Sequence, residues 1–146
     1  MNSNIQIINF GTPLHDELVE LRNQILRVPL GLEFTINDLE KEYNEIHFGY
    51  LNSKCILLGC LQLRIIDSDI LKMRQVCVTA SQENKGIGKL LVKASESYAT
   101  EKGFSKIELH ARENAIPFYL KQNYKKVGRS FKEVGILHYK MEKKLS

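Results

Sequence analysis

Gly86 and Gly88 stand one residue apart in the stretch SQENKGIGKLL, residues 81–91, with polar residues before them and a leucine pair after them. A turn of this kind opening a helix leaves the main-chain amides of Asn84, Lys85, Gly86, Ile87, Gly88 and Lys89 unpaired at the helix N-terminus. Unpaired N–H groups and the helix dipole favour a phosphate or diphosphate there. The glycines let a ligand approach the backbone closely, and Lys85, Lys89 and Lys93 add positive charge on or near the same turn. Glycines so placed also serve ordinary tight turns, and the loop alone does not separate the two uses.

Two familiar phosphate cradles fail on spacing. The nucleoside-triphosphate loop, G-x-x-x-x-G-K-[S/T], finds its end in Gly88-Lys89, but its first glycine would fall on Glu83 and its hydroxyl on Leu90. The dinucleotide fingerprint, G-x-G-x-x-G, would begin at Gly86 and need its third glycine at Leu91, and it belongs near the start of a parallel sheet. No spacing suggests a metal site. Cys55, Cys60 and Cys77 are odd in number and lack a CxxC pair, as expected of reduced thiols in a cytoplasmic protein.

The chain of 146 residues is long enough for one domain with its own core, so a single domain over residues 1–146 is expected. Its net charge of +4 is spread along the sequence, so nucleic acid is not the expected partner, whereas an anionic small molecule is compatible with it. The longest apolar run, Cys55 to Leu63, is broken by Gly59 and Gln62 and falls short of the roughly 20 residues of a membrane span. No membrane association is expected, and the first residues lack the basic start and apolar core of a secretory leader. A homodimer is compatible with the composition.

The elements that must position the loop follow from periodicity. Ile5 to Phe10 reads as a strand. Thr12-Pro13 begins a helix whose stripe Leu14, Leu18, Leu21, Ile25 and Val28 ends at Pro29-Leu30-Gly31. A second helix spans Thr35 to Tyr43, capped by Thr35 or Asn37. Strands over His47 to Leu51, Cys55 to Ile66 and Ile70 to Val78 form an antiparallel meander with polar turns. In the last of these, Leu71, Met73, Gln75 and Cys77 alternate with Lys72, Arg74, Val76 and Val78, which predicts one mostly apolar face. The helix after the glycine loop ends at Gly103. A strand over Ser105 to Arg112, a helix over Asn114 to Gln122, and strands over Tyr124 to Phe131 and Ile136 to Met141 complete a mixed α/β fold.

The combination is more specific than the loop. A meander ending VCVTAS, the loop ENKGIG, a helix ending KGF, the strand IELHA and then AIPFYLKQNYKKVG resemble the GNAT superfamily of N-acetyltransferases. That family carries Q/R-x-x-G-x-G/A at the start of its central helix and A-x-x-F-Y-x-x-x-G-F/Y on the next. Here the patterns fall on Glu83 to Gly88 and on Ala115 to Tyr124. GILHYKM and LRNQILRVPLG are further similar to its ElaA-like branch. The sequence departs at Glu83, where Gln or Arg is usual, at Asn84, at Arg112 in place of an asparagine with Asn114 nearby, and at Asn123 in place of glycine.

The resemblance implies a single α/β (α+β) domain whose mixed, mostly antiparallel sheet splays between the fourth and fifth strands. It implies acetyl-CoA as cosubstrate, with pantetheine along the main chain of Val76, Cys77 and Val78 and pyrophosphate over Asn84 to Lys89. Asn114, Phe118 and Tyr119 would complete the cofactor contacts. Acetyl would pass directly from thioester to an unidentified amine. Tyr119 occupies the family position of the general acid for the departing thiolate. His138 and His47 match positions where the ElaA-like branch also has histidine, and their near-neutral titration suits base work; histidines in a sheet also serve as hydrogen-bonding partners. Glu83 is expected to face solvent, since a carboxylate repels a pyrophosphate. The acceptor site would be shaped by residues 27–43 and 130–138. A non-catalytic acyl-CoA sensor on the same fold is the alternative.

Overall fold

The structure, a computed structural model, describes residues 4–32 and 34–145. Thr12 caps the first helix, its hydroxyl accepting the His15 N–H at 3.2 Å, with Pro13 at the first helical position where no N–H is needed. Strand β1 (Ile5–Ile8) precedes this helix, α1 (Pro13–Arg22). The helix does not continue regularly to Val28. It widens into a π turn over Asn23–Arg27 and tightens into a 3₁₀ turn over Val28–Leu30, ended by Gly31. The change of pitch shifts the phase of the stripe, so Val28 is 44% exposed while Leu18 is fully buried. Helix α2 (Ile36–Glu40) is shorter than its apolar spacing suggests. Its start is fixed by a reciprocal cap in which Thr35 Oγ accepts the Asp38 N–H and the Asp38 carboxylate accepts the Thr35 N–H.

Strands β2 (Ile46–Leu51), β3 (Leu57–Ile65) and β4 (Ile70–Val78) form the expected meander. Asp67 closes the last turn by accepting the N–H groups of Asp69 and Ile70. Then follow α3 (Ile87–Glu101), β5 (Lys106–Arg112), a 3₁₀ turn over Glu113–Ala115, α4 (Ile116–Lys121), β6 (Lys125–Glu133) and β7 (Ile136–Lys144). The seven strands lie in one sheet in the order β1-β2-β3-β4-β5-β7-β6, with β4 and β5 its single parallel pair among the described residues. No helix among the described residues is long and apolar enough to cross a membrane.

The simple alternation expected of β4 fails at one residue. Leu63 pairs with Met73 and Gln62 with Arg74, but Cys60 pairs with Cys77, so four residues of β4 oppose three of β3. The extra residue is a bulge at Gln75, held in the left-handed region at φ 55°. It reverses the faces: Leu71 and Met73 share the core under α3 with Val76 and Val78, whereas Cys77 joins Cys60, Ile8 and Leu18 under α1. Cys60 and Cys77 sit there as thiols with sulfurs 3.4 Å apart.

The α1 face also carries a buried ionic cluster. Arg22, fully buried, donates two hydrogen bonds to Glu42 at 2.8 and 3.0 Å. Arg74 lies 3.6 Å from Glu42 and bonds Glu45 at 2.8 and 2.9 Å, and Glu45 also accepts from Gln62 and Arg64. Burial pushes the Glu45 carboxyl upward, but the Gln62 hydrogen bond and the two arginines outweigh it and hold the group below its ordinary value. Such a cluster fixes how α1 and α2 sit on the sheet, and removing one partner would strand a buried charge.

Candidate functional site

The parallel β4–β5 ladder runs only from Ile70↔Lys106 to Met73↔Leu109. Beyond that point the bulge at Gln75 turns β4 away from β5. The main chain of Arg74 to Val78 therefore has no ladder partner on its β5 side, and such backbone groups call for a hydrogen-bonding ligand or water. α4 and the preceding turn sit at the mouth of this gap.

Two cavities adjoin the gap. One, of about 490 Å³, is lined by Val76, Cys77 and Val78 of β4, by the glycine loop and by Phe118 and Tyr119 of α4. Within the loop Asn84 takes a left-handed conformation at φ 62°, and Gly86, at φ 84°, stands at the head of α3 with no side chain capping the helix. Gly88 packs closely: a Cβ there would lie 3.2 Å from the Phe118 ring, which would have to shift by a few tenths of an ångström. The first-turn amides thus face open space lined by Gly88 and Lys89, a geometry suited to an anion. Glu83 is exposed, yet it too lines this cavity.

The other cavity, of about 150 Å³, lies between the diverging strands and is lined by Met73 to Val76, Leu109 to Arg112, Leu26, Arg27, Glu133, Val134 and His138. Val76, Ala115 and Tyr119 line both spaces, so the two meet at Tyr119. The Tyr119 ring packs edge-on against Phe118 and Tyr124, and no described residue hydrogen-bonds its hydroxyl. Burial pushes this phenol well above the ordinary tyrosine value, so it stays protonated and remains a donor.

His138 lines the smaller cavity. Its Nδ1 lies 2.8 Å from the Ile136 carbonyl oxygen, which can only accept, so Nδ1 carries a proton and Nε2 is the nitrogen that bears the lone pair in the neutral tautomer. His110 points into the same space and contacts Glu133 through Nδ1 at 3.0 Å. Burial favours the neutral Glu133 carboxyl, but the His110 hydrogen bond and nearby positive charge hold it ionised below its ordinary value.

Of the residues singled out from the sequence, Val76, Cys77, Val78, Asn84, Gly86, Ile87, Gly88, Lys89, Phe118 and Tyr119 come together on one cavity and His138 on the adjoining one. Lys85 is exposed and lines neither. Asn114, in the 3₁₀ turn, lines a separate surface hollow with Arg112, Glu113 and Ile136. His47 is not brought to the gap. It is buried on the α1 face, edge-on to His15 at 5.0 Å, with Nε2 3.4 Å from the Glu42 carbonyl. Nor does it bond His138; burial first and the His15 charge second hold its pKa below the ordinary value. Arg74 and Gln75 line the smaller cavity without having been singled out, since their place depends on a bulge and a splay that periodicity does not reveal; Arg112, noted only as a departure from the family pattern, and Glu133, within the expected segment 130–138, line it too. Among the described residues no group of three or more His, Cys, Asp or Glu side chains is placed to hold a metal.

Comparison with known proteins bears on this arrangement. Residues 35–145 match the family model described as an acetyltransferase (GNAT) domain. An uncharacterized N-acetyltransferase of Bacillus subtilis, YjcF, is 36% identical over 73 residues, 49% of this chain and 52% of that protein. The match thus spans about half the length of that curated relative. Two crystal structures share the fold. An aminoglycoside 6′-N-acetyltransferase complexed with coenzyme A superposes with a TM-score of 0.80 at 17% identity over 96% of each chain. Escherichia coli ElaA does so with a TM-score of 0.78 at 16% identity, covering 94% of this chain and 97% of its own.

Proposed function

The chain belongs to the GNAT acetyltransferase family, and from that membership we propose that it transfers acetyl directly from acetyl-CoA to an amine that enters from the opposite side of the β4–β5 gap. The observation that carries this reading is the meeting of two cavities at Tyr119, one with an uncapped helix N-terminus and unpaired strand backbone, the other with a histidine lone pair. The fit to coenzyme A is chemical. The α3 amides and Lys89 suit a pyrophosphate, and the free N–H and C=O groups of β4 suit the amides of pantetheine, which would add to the strand edge.

In this reading the acceptor nitrogen attacks the thioester carbonyl carbon, and the carbonyl oxygen takes up negative charge beside β4's main-chain N–H groups. The C–S bond then breaks. Tyr119 supplies the proton taken by the leaving sulfur, and His138, through Nε2, takes the proton lost by the amine, giving an amide and free CoA thiol. His138 is preferred over His47 as base because it lines the acceptor cavity and its tautomer leaves an acceptor nitrogen. Incubation with acetyl-CoA and a broad amine panel, with free thiol as the readout, tests the reading. Amine-dependent thiol release is expected. Tight CoA binding without release on any amine would overturn it in favour of a sensor.

A further inference from the structure

The smaller cavity has an uneven charge balance. Three arginines, Arg27, Arg74 and Arg112, and one acidic residue, Glu133, are among the residues that line it. Arg74 is compensated by Glu45 and Glu42 in the buried cluster, and Glu133 is engaged by His110. Arg27 and Arg112 have no carboxylate partner among the described residues. The Arg27 guanidinium lies over the Phe34 ring at 4.5 Å, and Arg112 Nη2 donates to the Leu26 carbonyl at 3.0 Å. That bond uses one of the five N–H groups of a guanidinium.

Both arginines are half-buried, and they are close enough to disfavour each other's charge: burial first and Arg27 second depress the Arg112 pKa. A guanidinium remains protonated nonetheless, so the cost stays in the protein until an anion offsets it. The π turn places this charge. Leu26 and Arg27 lie in the widened turn Asn23–Arg27, the one departure from α geometry that brings them to the gap.

We propose that Arg27 and Arg112 clamp an oxyanion of the acceptor, so that the amine acetylated is a small one carrying a carboxylate or a phosphate. This rests on the smaller cavity being the acceptor site of the proposed reaction. The space of about 150 Å³ suits a short aminoalkyl acid rather than a peptide. A polycationic amine would meet two guanidinium groups there that form no ion pair with a described carboxylate. Planar, forked donors match either oxyanion, and Glu133 and His138, the latter the cross-strand neighbour of Arg112, line the same cavity and would receive the ammonium end before it loses its proton.

The test compares glycine, β-alanine, 4-aminobutyrate and 2-aminoethyl phosphate with glycinamide, β-alaninamide and putrescine, by thiol release from acetyl-CoA. The acids are expected to exceed their amides by about 10- to 100-fold in kcat/KM, the range of a charge-assisted hydrogen-bond pair. The preferred series then identifies the oxyanion as carboxylate or phosphate. In Arg27→Gln and Arg112→Gln the ratio of acid to amide is expected to fall towards one, mainly through KM. Arg112→Lys, which keeps charge without the fork, should recover part of it. CoA binding by calorimetry shows that each variant is folded. Preference for amides or putrescine, or an unchanged ratio in the variants, overturns the clamp while leaving acetyl transfer intact. If no amine turns over, binding of N-acetyl-β-alanine and 2-aminoethyl phosphate to the CoA-saturated protein decides. Binding that both Gln variants lose supports the clamp, and absence of binding overturns it.

Discussion

Replacing Tyr119 by phenylalanine separates its chemical role from its packing role. The ring sits edge-on to Phe118 at 5.0 Å and to Tyr124 at 5.8 Å, contacts that phenylalanine keeps. The hydroxyl has no hydrogen bond to any described residue, so its loss breaks nothing within the protein and stability should change by less than about 1 kcal/mol. For a domain of this size that is a shift in Tm of roughly 2–4 °C at most. If Tyr119 delivers the proton to the leaving sulfur, turnover should nevertheless fall by about 10² to 10⁴, or about 3–5 kcal/mol of barrier. Tyr124→Phe is the contrasting control. Its hydroxyl donates to Glu96 at 2.9 Å, so that variant should lose about 1–2 kcal/mol of stability and keep its turnover. The assay is thiol release at saturating acetyl-CoA, beside thermal melts and CoA calorimetry. Tyr119→Phe turning over within about threefold of wild type, with CoA bound normally, would refute the assignment on the scale a positioned acid contributes.

Three further outcomes are expected. Glu83 lines the larger cavity beside the uncapped α3 amides, so Glu83→Gln should tighten CoA by about two- to fivefold, more at low salt, as an exposed charge is screened; calorimetry at two ionic strengths that gives equal or weaker binding at both would place the carboxylate away from the phosphates. His138→Gln should lower kcat/KM by at least about tenfold and remove the rise with pH that a histidine base imposes, and an unchanged limb would exclude it. His15 and His47 are both held below the ordinary histidine value of about 6.5, chiefly by burial, so the unfolded chain binds protons more readily than the fold. Their stability contribution is therefore full above about pH 6.5 and is lost as pH falls towards their folded values, with a slope of up to about 1.4 kcal/mol per pH unit for each. Denaturant titrations between pH 5 and 7.5 should show a shallower slope in His47→Gln, and identical slopes would contradict this.

The order of strands and helices was legible because each carries its own period and its own punctuation. Thr12-Pro13 begins α1, Ile70 and Val78 bound β4, and Gly103, at φ 88°, follows α3. Asn123 stands at φ 70°, as expected of a residue replacing glycine at a left-handed position. Most of the residues that line the larger cavity were legible too, since a glycine loop and the helix after it are local features. What escaped were phase changes. A bulge at Gln75 adds one residue between two stretches that each alternate correctly, and a π turn at Asn23–Arg27 rotates a stripe that still looks periodic on paper. Those two irregularities shape the smaller cavity, one by parting β4 from β5 and the other by bringing Leu26 and Arg27 to its wall. The buried cluster of Arg22, Glu42, Arg74 and Glu45 was equally hidden, because its members lie far apart in sequence on elements that each look amphipathic.

The most direct test of a cosubstrate lying along β4 in the splay is an amide-resolved NMR titration of the protein with coenzyme A. Saturable shifts are expected for Val76, Cys77 and Val78 and for the loop from Asn84 to Lys89, with a second, separate set at Arg112 and His138 when β-alanine is added. Shifts confined to the His15 face, or a silent α3 N-terminus at saturating coenzyme A, would contradict it.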